Sequence, residues 1–162
     1  MTDAPALRRR IRFWLWVFIV GLAVSGLTAI PLTWEVGILT RLAGHSFGPL
    51  SDWIARVGEG LRQTDARYPF LAYGTDWLAF GHLMIAVAFI GPLLDPVRNR
   101  WVITFGIIAC VLVVPWALIF GSLRGIPFFW RLIDCSFGVF GLIPLWLVRR
   151  DINRLERDVS LS

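Results

Sequence analysis

Three ionisable side chains lie within strongly apolar sequence: His82, Arg131 and Asp134. Arg131 and Asp134 are three residues apart, the spacing at which helical side chains pair directly. A histidine beside a carboxylate can relay a proton, and an arginine can seat an anionic head group or snorkel towards one. The spacing therefore permits a polar pocket for a ligand, a lipid head group or a partner helix. The plainer expectation is that the three groups, with Ser25 and Thr28, satisfy one another and fix helix packing.

Other chemistries find less support. Haem held by two histidines needs both imidazoles at one depth, and the chain has only His45 and His82. Only a loop folding back could bring His45 to His82, so no cofactor is assigned, and haem or quinone stays a minor alternative. No helix carries an HxxxH or ExxH pair, so no metal site is expected. GxSxG, P-loop and GxGxxG signatures are absent. Asp134 and Ser136 are two apart and point to different helix faces, which rules out a nucleophile and its base. Cys110 and Cys135 form no CxxC and no disulfide framework.

The elements that hold these groups are four apolar runs: Ile11–Leu32 (11–32), Trp77–Leu94 (77–94), Trp101–Gly121 (101–121) and Phe128–Val148 (128–148). Each is about 18–22 residues, enough for a helix to cross a hydrocarbon core roughly 30 Å thick. Apolar residues make up 57% of the chain and charged residues 17%, far from an ordinary soluble domain. The expected fold is an all-α integral membrane protein with four transmembrane helices. The net charge of +5 does not indicate a nucleic-acid partner, because the arginines gather at helix ends. All 16 basic residues are arginine, for which base composition is a sufficient reason.

Charge placement sets an expected topology. Arg8, Arg9 and Arg10 precede the first run and Arg12 stands at its start, Arg98 and Arg100 lie between the second and third, and Arg149, Arg150, Arg154 and Arg157 follow the fourth. The positive-inside rule assigns that side to the cytoplasm, with both termini there. Trp14, Trp16, Trp101 and Trp146 fall near the inner interface, and Trp34, Trp77 and Trp130 near the outer one, as amphipathic indoles prefer. The first run is too long for a signal-peptide core, so a retained anchor is expected. On this topology His82 and Asp134 lie at similar depth, about 6–8 Å below the outer interface at 1.5 Å per residue.

Outside the spans, residues 1–10 and 149–162 are expected as cytoplasmic tails, and residues 33–76 as a long non-cytoplasmic loop. Within that loop Leu50, Trp53, Ile54, Val57 and Leu61 repeat at helical spacing, which predicts an amphipathic helix over 50–62 on the membrane surface or over the bundle mouth. A short helix around Glu35–Leu42 is a weaker expectation. Pro115 and Pro144 are expected to kink their helices, while Gly138, Gly141 and Cys135 offer surfaces for close approach. Ile152, Leu155 and Val159 predict that the fourth helix extends into the tail and rests on the inner leaflet, with docking to a cytoplasmic partner as the alternative.

The sequence thus points to a plasma-membrane, multi-pass protein of the bacterial inner-membrane kind. A non-enzymatic accessory, sensor or assembly component is expected, acting through the lipid bilayer, a membrane-protein partner or a homo-oligomer. The alternative is a redox or lipid-directed enzyme with a quinone, haem or anionic lipid near His82, Arg131 and Asp134.

Overall fold

A computed structural model describes residues 4–44 and 48–160, with side chains through residue 157. Among the described residues every regular element is helical: α1 (Ala4–Thr28), α2 (Leu32–Ala43), α3 (Pro49–Arg67), a 3₁₀ turn (Pro69–Ala72), α4 (Tyr73–Ala88), α5 (Ile90–Leu94), α6 (Arg100–Leu123) and α7 (Phe128–Ser160). Four segments are long and apolar enough to cross a membrane: Ala4–Thr28, Pro69–Leu94, Arg100–Leu123 and Phe128–Arg157. In α6 only 11% of the most apolar window is buried. Trp101, Phe105, Leu112 and Trp116 face outwards there, a surface that suits hydrocarbon and not water.

The element ends follow local chemistry. α1 stops at Thr28 rather than running to residue 32, because the Pro31 ring lacks an N–H and would clash with the carbonyl four residues back. It starts at Ala4, so the arginine run is helical and not a loose tail. Pro92 acts similarly and separates α4 from α5 at Phe89. Pro115 and Pro144, by contrast, lie inside helices that continue through them. α6 ends in a Schellman arrangement: Ile126 N–H donates to Gly121 O at 2.9 Å and Gly125 N–H to Ser122 O at 3.1 Å. Gly125 supplies the left-handed φ of 69° that this turn needs.

The chain divides into two compact units, Met1–Gly21 with Ala86–Ser162, and Leu22–Ile85. In the first unit α6 and α7 form an antiparallel hairpin at close range. An added Cβ at Gly138 would overlap the Cys110 carbonyl oxygen, and one at Gly106 would meet Leu145 and Phe89 at 2.7 Å. Leu7, Ile11 and Leu15 give α1 a buried stripe at i, i+4 and i+8. Phe18 stacks on Phe89 with centroids 4.6 Å apart. The α5–α6 turn is tied by Asn99, whose Nδ2 donates to Gly91 O at 3.1 Å and Asp95 O at 2.9 Å.

At the other end of the hairpin, α7 runs on past residue 148 to Ser160. Leu145, Val148, Ile152 and Leu155 form one buried row. Ile152 and Leu155 are therefore covered by protein and not by lipid; Val159 and the residues after 160 lie outside the described residues. Asp151 falls in the same row and is 0% exposed. Arg10 Nη2 donates to it at 2.9 Å, and Arg150 Nε lies 3.6 Å away. Arg100 pairs with Glu156 at 2.8 Å, and Arg149 donates to the Thr104 hydroxyl.

In the second unit α2 and α3 pack together. Ser51, Ile54 and Gly58 of α3 face Val36 and Ala43 of α2 as the buried positions. Gly58 lets the helices meet, since a Cβ there would stand 3.2 Å from Thr40 Oγ1 and 3.4 Å from Val36 Cγ1. The apolar face expected of residues 50–62 is thus covered by α2. α2 keeps a second apolar face, with Trp34 66% and Leu42 75% exposed. α1 approaches α4 at Gly26, where a Cβ would lie 2.8 Å from the His82 Cβ and 3.0 Å from Ala79 O.

Candidate functional site

Asp134 lies in the second turn of α7, half-buried, in the first unit. Among the described residues it has neither an ion pair nor a side-chain hydrogen bond. Its neighbours Leu132, Ile133 and Phe137 are exposed and apolar. A carboxyl group without a donor is costly wherever water is kept from it.

Arg131, one turn earlier, does not turn to Asp134. Its stem runs across α6 at Gly121, where a Cβ would stand 2.6 Å from Arg131 Cγ and Cδ. The guanidinium then reaches Leu118 O, with Nη1 donating at 3.4 Å, and lies 5.3 Å from the Phe128 ring centroid. Arg131 Nε is buried without a hydrogen-bond partner. Gly121 is what permits this path, a dependence that helical spacing alone does not reveal.

His82 belongs to the second unit. Its Nδ1 lies 2.8 Å from Leu78 O. A carbonyl oxygen only accepts, so Nδ1 carries the proton and Nε2 is the ring nitrogen left for a ligand. This is the tautomer suited to ligation through Nε2. His45, the other histidine weighed for haem, lies outside the described residues. Among the described residues no three His, Cys, Asp or Glu side chains converge. Cys135 Sγ is turned to Val114 O at 3.9 Å, and Cys110 is buried against α7 at Gly141.

Two groupings escape the sequence reading. One is the Arg10–Asp151 pair, whose available signal was an acid in phase with Val148, Ile152 and Leu155. The other is a shallow hollow lined by Tyr73, Asp76, Trp77 and Phe80. Its signal in the sequence is three aromatics at i, i+4 and i+7, Tyr73, Trp77 and Phe80.

The chain matches no protein-family model, no curated protein and no solved structure.

Proposed function

We propose that this chain is a multi-pass plasma-membrane protein, of the bacterial inner-membrane kind, that acts as an accessory or assembly component. Its working surface is the outer third of α7, and its partner is a transmembrane helix that offers a hydrogen-bond donor to Asp134. The observation that carries this reading is the partnerless carboxyl of Asp134 amid exposed apolar side chains. A charged group at the centre of a membrane helix costs on the order of 3 kcal/mol, and less towards the interface where Asp134 lies; a donor from a second helix offsets that cost. Such a helix belongs to another membrane protein or to a second copy of this chain.

The orientation proposed has both termini in the cytoplasm. The arginines at the inner ends support it through the positive-inside rule. The Arg10–Asp151 contact supports it too, since it joins the start of α1 to the end of α7.

The test is site-specific photocrosslinking in native membranes from Phe137, one turn from Asp134, with Val111 on α6 as the comparison position. A discrete protein adduct from Phe137 that is lost in Asp134→Ala supports the reading. Adducts with lipid alone, or an adduct indifferent to that substitution, overturn it.

A second reading is a redox or lipid-directed enzyme using a quinone, haem or anionic lipid, and the free Nε2 of His82 favours it. A visible spectrum and extraction of the purified protein separate the two. A Soret band or a stoichiometric quinone lost in His82→Ala establishes the second.

A further inference from the structure

We propose that Tyr73, Asp76, Trp77 and Phe80 form a seat for the ammonium group of a zwitterionic lipid. The four residues occupy one face of the first two turns of α4 and line a hollow of about 240 Å³. Tyr73 meets Trp77 edge to face, with centroids 5.9 Å apart and planes at 82°. Trp77 meets Phe80 in the same way, at 5.5 Å and 85°. These contacts fix each ring in place while leaving it open, with Tyr73 61% and Trp77 56% exposed.

Ring faces carry negative potential and attract a cation held within about 6 Å of the centroid. Asp76 adds a full negative charge beside them. It is exposed and, among the described residues, has no ion pair or side-chain hydrogen bond. Arg67, a nearby cation in sequence, is engaged over the Tyr68 ring at 5.4 Å. An acid in the first turn of a helix favours the helix dipole wherever it stands. That role needs no aromatic ladder, whereas an ammonium gains from open ring faces and a carboxylate together. Isolated interfacial aromatics likewise need no carboxylate.

The ligand is a lipid rather than a free amine because the aromatic row continues as apolar surface. Met84, at i+11 from Tyr73, is 45% exposed on the same stripe. An acyl chain lies along that stripe while its head group rests at the outer end of the Pro69–Leu94 span. The net charge of the seat disfavours lipids whose only head-group charge is the phosphate. This inference rests on the membrane reading of that span, and not on the partner assigned to Asp134.

The test is native mass spectrometry of the full chain in detergent with dioctanoyl phosphatidylcholine, phosphatidylethanolamine or phosphatidylglycerol. Either zwitterionic lipid should be retained about fivefold over phosphatidylglycerol, and tetramethylammonium chloride should compete it away. Asp76→Asn and Trp77→Ala should abolish the preference, while Trp77→Phe, which keeps a ring, should retain most of it. Equal retention of the three lipids, or a preference unchanged in Asp76→Asn, overturns the proposal. Failure of the membrane reading itself looks different: the chain would then remain monodisperse without detergent.

Discussion

Arg10 and Asp151 stand 141 residues apart in sequence, yet a single guanidinium nitrogen of one lies 2.9 Å from both carboxylate oxygens of the other. The Asp151 side chain is 0% exposed and that of Arg10 46%. A buried carboxylate is tolerable only while its cation stays in place.

Arg10→Ala should therefore destabilise the protein by about 1–3 kcal/mol, less than the roughly 3–5 kcal/mol of a fully buried pair because Arg10 is screened by solvent. In thermal unfolding in detergent this is a Tm lower by about 3–10 °C. Asp151→Ala combined with Arg10→Ala should recover part of the loss. Additive effects in that double-mutant cycle would show that the two groups do not interact.

The α6–α7 contact makes a steric prediction. Gly138→Ala places a methyl against the Cys110 carbonyl oxygen, part of the backbone and unable to swing aside. A loss of about 1–3 kcal/mol is expected. Gly81→Ala is the control, since nothing lies within 4 Å of its added Cβ. It should be neutral or slightly stabilising, by up to about 1 kcal/mol from helix propensity. Equal Tm shifts for the two variants would contradict the close approach.

Asn99 holds the end of α5 through two carbonyls. Asn99→Ala should cost about 1 kcal/mol and speed amide exchange at Asp95, whose N–H donates to Gly91 O at 2.9 Å. Unchanged exchange there would mean that the turn holds without the side chain.

Glu59 on α3 gives a pH prediction. Hydrogen bonds from Arg62 at 2.5 Å and Gln63 at 2.7 Å hold its carboxyl below the ordinary glutamate value. A depressed value means that the contribution is complete above the ordinary glutamate pKa and is lost as pH falls through the folded one. NMR titration of the Glu59 carboxyl should give a midpoint under that of a model glutamate. Arg62→Ala should raise it, and an unmoved midpoint would count against the pair.

Much of this architecture was legible from residue type alone. The spans announce themselves because about 20 apolar residues in a row have few other uses. The covered face of α3 was readable because Leu50, Ile54, Val57 and Leu61 keep helical period. What covers that face was not, since α2 has no side-chain cap at its start and only 12 residues. Its existence depends on packing against Ile54 and Gly58. The route of Arg131 was hidden for a similar reason, because it depends on a missing Cβ at Gly121 on another helix. Asp151 was masked by its arginine neighbours, which made the end of α7 resemble a basic helix lying on the inner leaflet. Only its phase with Val148 and Leu155 hinted otherwise.

The length of α7 has a consequence for how the molecule is made. Its 33 residues extend about 50 Å, some 20 Å more than a hydrocarbon core requires. The surplus carries the carboxylate that Arg10 engages. During synthesis Arg10 emerges 141 residues before that carboxylate exists, so the start of the first helix waits for its partner while the intervening chain is made. A chain halted before residue 151 would hold all four apolar helices and lack the acid that fastens the first of them.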